Sequence, residues 1–454
     1  MKTIKKKSKL KKKIPILVFF AKGQIPKKLN NDNSYSFPSN FIFRKNDSIC
    51  VFLDEILHLN KFQKNYYLFH IGAKLNKFCK QGSFFIDYFG SKELNERNLH
   101  LGWELANYRF EKFKIVKKKR NAPSLFHNHQ NQVDNEKRVF YFVRDLINTP
   151  ANVLGPNEIF NAARDFLKNS YNSKKISGSL LKKNFPLISA VGQGASKKKQ
   201  PLFCELKLKK ARSKKKVCII GKGVSFDTGG LNLKTGSGMA LMKKDMGGAA
   251  NSIGLAKLIS SHKLEIDVNL MLCLVENSVS SNSIRPSDIF KSRDGRYVEI
   301  GDTDAEGRLI LADAITYACE LKPDLIIDMA TLTGASRVAL GIEVPSFFCN
   351  DDDLSMELID ASQEVGDPLW QLPLWENYSN QLISNHADIK NIGNSFFGGA
   401  ITAALFLKEF VKYNIPWIHV DLMAWSKPNR LSSYEGGEAM GIRALMQLIE
   451  KRFG

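Results

Sequence analysis

Three acids recur at alternate positions in Gly301-Asp-Thr-Asp-Ala-Glu-Gly-Arg308, with Asp302, Asp304 and Glu306 followed by Arg308. In an extended loop alternate side chains project to one side, so this spacing predicts a row of carboxylates aimed at one place. Such a row repels itself unless a cation, or a set of Lys and Arg, lies opposite. The complementary stretch lies upstream, in Gly221-Lys-Gly-Val-Ser-Phe-Asp-Thr-Gly-Gly230, with Lys234 and Asp245 beyond it. Together the two stretches read as a two-metal hydrolase site.

The surrounding elements must bring these segments together. Val217–Ile220 is a short apolar run that reads as a buried strand, and Gly221-Lys-Gly223 reads as the strand end turning into a loop. In open α/β sheets ligands bind at such strand ends. Neither a dinucleotide GxGxxG, a GxxxxGK[ST] phosphate loop nor a GxSxG nucleophile elbow is present. Residues 239–260 have a helical pattern that carries Asp245 near its start. Ile266–Val275 and Tyr297–Ile300 read as strands, so the acid row falls at a strand end, and Arg308 opens a helix through Glu320. Asp304 and Glu306 could instead cap that helix, but three alternating acids exceed what a cap needs. Leu325–Ile327 is a further strand, followed by the small-residue loop Ala330-Thr-Leu-Thr-Gly-Ala335.

Before about residue 125, strand-like runs at 15–20, 41–43, 49–53, 66–72 and 83–89 alternate with polar or helical stretches, the pattern of a small α/β domain. Residues 117–138 are basic and polar and read as a linker. His127 and His129 within it have no acid or Cys cluster beside them to suggest a metal site. Val139, Phe140, Val143 and Ile147 follow a helical spacing that leads into the second unit.

The chain has 454 residues and a formal charge of +22 from 67 Lys and Arg against 45 Asp and Glu. Nucleic acid or another anionic surface is one reading of that excess. The lysine-rich clusters at 117–120, 197–199 and 207–216 are scattered, without the interleaved aromatics of single-strand binders, so a solvated surface is favoured. No apolar run approaches the ~18–20 residues of a membrane span. The lysine-rich first thirteen residues precede only a short apolar run and read as a basic tail rather than a signal peptide. Seven cysteines without a CxxC fit buried thiols in a reducing cytoplasm.

Residues 221–245 and 301–308 resemble the signatures of the leucyl aminopeptidase family, of the cytosol aminopeptidase type and similar to a bacterial subgroup. Asn148-Thr-Pro-Ala-Asn152, Ala330–Ala335 and Gly436-Gly-Glu-Ala439 also match. The resemblance covers about residues 140–454. It implies an α/β fold: a small N-terminal macro-like α/β domain (1–125), a linker and connecting helix (126–149), and a C-terminal α/β/α catalytic domain with a mixed central sheet (150–454). It also implies a metallo-exopeptidase that hydrolyses N-terminal residues from peptides with a free N-terminus. Its two divalent ions, Mn²⁺ or Zn²⁺, would be held by Lys222, Asp227, Asp245, Asp304 and Glu306, with Asp227 and Glu306 shared. Lys222 would bind as the neutral amine, since an ammonium has no lone pair. Lys234 would polarise the scissile carbonyl, and Arg308 would hold a bicarbonate acting as general base. Met242, Thr331, Leu332 and Gly334 would line the substrate. A cytoplasmic homohexamer, a dimer of trimers through the C-terminal domains, is implied as well. Asp302 stands where the family commonly has Asn, and the resemblance gives it no metal. The segment His419-Val-Asp-Leu-Met-Ala-Trp425 is shorter than the family's usual small-residue version.

Overall fold

The computed structural model describes residues 13–19, 42–45, 48–53, 56, 58–89, 95–115, 121–126, 128–209, 213, 215–262, 264–427 and 435–454. The basic tail before Lys13, the basic cluster at 117–120 and His127 lie outside the described residues. The chain divides into two compact units, the first through Lys137 and the second from Arg138. Of the expected linker and connecting helix, Gln130–Asn148 forms one helix.

The first unit is built on a five-stranded sheet of β1 (Ile14–Phe19), β2 (Ile42–Lys45), β3 (Ser48–Phe52), β4 (Ser83–Phe89) and β5 (Ser124–Phe126) in the order β2-β3-β1-β4-β5. Only the β2–β3 pair is antiparallel. The aromatic run at 66–72, expected as a strand, lies instead inside the helix Lys61–Cys79. A reciprocal cap starts that helix: Gln63 N donates to Asn60 Oδ1 at 2.9 Å and Asn60 N to Gln63 Oε1 at 3.1 Å. Leu68, Ile71, Gly72, Leu75 and Cys79 then fall on one buried face at helical spacing. The helix Glu96–Leu105 crosses it at closest approach: a Cβ on Gly72 would lie 1.9 Å from Leu99 O, and one on Gly102 would lie 1.8 Å from Phe69 O.

The second unit holds a mixed eight-stranded sheet. Its strands are β6 (Tyr171–Ser177), β7 (Leu202–Leu208), β8 (Lys216–Asp227), β9 (Asp267–Asn277), β12 (Leu325–Ala330), β13 (Ser346–Cys349), β14 (Trp370–Gln371) and β16 (Trp417–Asp421), in the order β14-β13-β16-β12-β8-β9-β7-β6. A small separate sheet joins β10 (Ile289–Lys291), β11 (Tyr297–Glu299) and β15 (Ile389–Lys390). Strand β8 lies centrally, parallel to both β12 and β9. Its period of two divides its side chains between the faces. Gly221 meets Ala249 of the helix Gly247–Ser261, whereas Cys218 and Ile220 share a core with Leu309, Ile310 and Ile315 of the helix Glu306–Glu320. Lys222 is in phase with the second set, so β8 directs it toward the start of the helix that carries Glu306.

The motifs at 148–152 and 436–439 meet in this unit. Asn148 Oδ1 accepts from Gly437 N at 2.8 Å, and Arg144 grips Glu438 through bonds of 2.9–3.1 Å with both side chains buried. Removing one partner of such a pair leaves a buried uncompensated charge. Glu438→Ala is therefore expected to destabilise the second unit by about 3–5 kcal/mol, read as a lower denaturant midpoint.

Within the basic cluster at 207–216, Lys207 pairs with Glu205, and Lys215 with Asp324. All seven cysteines are buried and none is in a disulfide. Among the described residues, no helix is long and apolar enough to cross a membrane.

Candidate metal centre

Strand β8 continues through the expected loop at Gly221–Gly223 as far as Asp227, with an irregularity between Val224 and Asp227. The glycines serve packing: a Cβ on Gly221 would lie 2.6 Å from Ala249 Cα, and one on Gly223 2.3 Å from Leu274 Cδ2. Gly307 has the matching role across the site, where a Cβ would lie 2.6 Å from Lys222 Cε. A larger residue at Gly307 would push Lys222 away from Glu306.

The acid row is a turn followed by a helix start, not an extended loop. Glu306 is the first residue of its helix, whose N-cap Ala305 makes no side-chain cap bond. Asp302 turns back on its own chain, its Oδ1 accepting from Asp304 N at 2.8 Å. Two of the three acids thus remain to face the Lys–Asp stretch.

Asp227, Asp245 and Glu306 are buried, and one carboxylate oxygen from each lies within 4.8 Å of the others, the arrangement that could hold a cation. Asp304 joins them through Lys234, whose Nζ contacts both Asp304 Oδ1 and Asp227 Oδ2, the latter at 2.8 Å. Lys222 Nζ lies 2.8 Å from Asp245 Oδ2 and 2.9 Å from Glu306 Oε1. Those two contacts lack hydrogen-bond direction, and the directed bond from Lys222 goes to the Thr331 carbonyl at 2.9 Å. Four carboxylates therefore face two ammonium groups. Asp245 Oδ2, Asp304 Oδ1 and both oxygens of Glu306 are buried without a hydrogen bond. An all-carboxylate donor set with one amine suits a hard or borderline divalent cation.

The electrostatics express the same surplus. Burial and repulsion from Asp227 push Glu306 up to about 8 and Asp304 up to about 7. Burial also raises the cost of charge on Asp227, but Lys234 and Lys222 outweigh it and hold its pKa below the ordinary range. Burial disfavours both ammonium groups; Asp245 and Glu306 around Lys222, and Asp227 around Lys234, override it and hold each above the usual lysine range.

A cavity of about 300 Å³ opens on this cluster, lined by Lys222, Asp227, Lys234, Met242, Asp245, Asp304, Glu306, Arg308, Thr331, Leu332 and Gly334. The structure thus brings all eleven sequence-derived positions to one cavity. Arg308 is 7% exposed; its Nη1 donates to the Asn391 carbonyl at 2.9 Å, and its Nε is buried without a hydrogen bond. Burial lowers its pKa to about 10.

Most of the supporting residues escaped the sequence reading. Asn277 Nδ2 donates to Asp227 Oδ1 at 2.8 Å and to the Thr303 carbonyl at 3.1 Å, tying the two signatures together. Thr303 Oγ1 donates to Gly229 O at 2.6 Å. Asn391 accepts from Gly301 N and Asp302 N and donates to Asp302 O, fixing the turn. Thr331 Oγ1 donates to Asp245 Oδ1 at 2.7 Å. In the 419–425 segment, Asp421 accepts from Leu332 N, Thr333 N and Thr333 Oγ1, and so shapes the substrate-facing loop. Single Asn and Thr residues far apart in sequence leave no spacing signal. Lys244 and Arg337 also line the cavity and were not singled out; burial, with repulsion from Arg337 and Lys222, lowers Lys244 to about 8.

Residues 141–446 match the catalytic domain of the cytosol aminopeptidase family. A probable cytosol aminopeptidase of Persephonella marina is 39% identical over 331 residues, covering 70% of this chain and 66% of the relative, just under two thirds of its length. The crystal structure of cytosol aminopeptidase from Coxiella burnetii is 36% identical with a TM-score of 0.88, over 98% of this chain and 99% of that one. The bottromycin maturation enzyme BotP, solved in complex with Mn, is 25% identical with a TM-score of 0.85, over 97% and 99% of the two chains. With well over half of its length matching that catalytic domain, the chain belongs to the cytosol aminopeptidase family.

Proposed function

We propose that this chain is an aminopeptidase that removes the N-terminal residue of peptides, using two divalent cations held by Lys222, Asp227, Asp245, Asp304 and Glu306. The observation that carries the reading is the surplus of buried carboxylate over ammonium, with four buried carboxylate oxygens left without hydrogen bonds. Mn²⁺ or Zn²⁺ suits the donor set, and the related BotP structure contains Mn. Bound there, the cations would activate water and polarise the scissile carbonyl.

The chain's own residues have separate tasks. Asp227 and Glu306 would be shared between the two cations. Lys222 would give up its proton to bind through its lone pair. Lys234 would donate to the scissile carbonyl oxygen and stabilise the charge that develops on it. Arg308 keeps Nη1 on the Asn391 carbonyl and would offer Nε to a bicarbonate that takes the proton from the attacking water. Met242, Thr331, Leu332 and Gly334 would flank the N-terminal residue. A free α-amine can join the cation site through its lone pair, which an acylated amine cannot do. With Mn²⁺ or Zn²⁺ supplied, leucyl-amide is expected to be hydrolysed and N-acetyl-leucyl-amide to resist. Equal hydrolysis of both would contradict an aminopeptidase.

The same reading carries a cytoplasmic homohexamer. Buried cysteines outside any disulfide fit the compartment, and the mass of the assembly by light scattering tests the stoichiometry.

A further inference from the structure

The cavity carries a second set of charges that the proposed chemistry leaves unused. Lys244 lies in the short turn Met242–Met246 and is 2% exposed. Its ammonium forms no ion pair or hydrogen bond among the described residues. The nearest acids are already engaged: Asp245 by Lys222 and Thr331, and Asp421 by the Leu332 and Thr333 amides. Arg337, on the helix Gly334–Leu340, is partly buried, and its Nη1 is buried without a hydrogen bond. Both residues line the cavity, close enough to repel one another.

Burying a charge without a partner is costly, and a like charge lining the same cavity adds to that cost. A cavity with surplus carboxylate at one part and two unneutralised cations at another suits a ligand with the opposite polarity, an amine toward the acids and an anion toward the lysine and arginine. Lys244 is two residues beyond Met242, and Arg337 three beyond Gly334, so the cations come from the same two segments that would flank the substrate's first residue.

We propose that Lys244 and Arg337 form a subsite for a carboxylate of the substrate. The carboxylate has two sources: the side chain of an N-terminal Glu or Asp, or the chain terminus of a dipeptide. The proposal rests on the aminopeptidase reading.

The test compares kcat/KM for glutamyl-amide against glutaminyl-amide, and for Leu-Gly against Leu-Gly-amide, in the metal-loaded protein and in Lys244→Met and Arg337→Gln. Binding of free glutamate and glutamine is measured alongside by calorimetry. A charged hydrogen-bonding pair should favour the carboxylate member of at least one pair by roughly 10-fold or more. Each substitution should bring that ratio toward one, and glutamate binding should weaken in step if the side chain is the source. The pair that responds identifies the source. Hydrolysis of leucyl-amide with both ratios near one, or a ratio that survives both substitutions, overturns the subsite and leaves the aminopeptidase reading intact. No hydrolysis of any unblocked amide, together with no glutamate binding, overturns both.

Discussion

Glu306→Gln is expected to keep the fold and lose at least about 10³-fold in kcat/KM on leucyl-amide, on the order of 4 kcal/mol of transition-state stabilisation. Glu306 opens its helix with both oxygens buried and without hydrogen bonds, facing Asp227, Asp245 and the Lys222 ammonium. The amide is nearly isosteric but carries no charge and is a poor cation ligand. Bound metal, measured by elemental analysis, should fall with activity. Stability without metal should not fall, because the substitution removes one of several mutually repelling buried carboxylates. A site that was merely structural would show the reverse: destabilisation with activity preserved.

Lys234→Met carries the second largest effect, a loss of about 10²–10³-fold in kcat with a smaller change in KM, the signature of an interaction made chiefly in the transition state. Lys234 lines the cavity and, in the structure, spans Asp227 and Asp304. Under the proposed chemistry its charge serves the carbonyl oxygen and is not a ligand. Metal content should therefore persist in Lys234→Met while Glu306→Gln loses it. That contrast separates the two roles, because both residues belong to one charge cluster and a simple activity loss would not distinguish them.

Much of the centre could be read from the sequence because its residue types are unusual where they stand. A dense acid row in a basic chain and a Lys–Asp pair beside glycines are chemically conspicuous. The mechanism that brings them together was not readable. Alternation of acids suggested a strand-like row, whereas Asp302 folds back to Asp304 N and the helix start turns Glu306 inward. Gly221 and Gly223 suggested a loop, because a glycine that permits a turn and one that admits a neighbouring backbone look alike in sequence. Here they admit Ala249 and Leu274 against a continuous strand. In the first unit the aromatic run at 66–72 has strand-like composition, but the Asn60–Gln63 cap and the glycine contact with the neighbouring helix decide for a helix. Asn277, Thr303 and Asn391 act through single hydrogen bonds between distant segments and became identifiable only with the fold.

Under the proposed chemistry, buried carboxylates hold the cations on which hydrolysis depends. The most direct measurement strips the protein with a chelator, then adds Mn²⁺ or Zn²⁺ stepwise while following leucyl-amide hydrolysis and bound metal together. The stripped chain is expected to show no hydrolysis, with recovery that levels off at about two ions per chain. Undiminished hydrolysis by metal-free protein would contradict it.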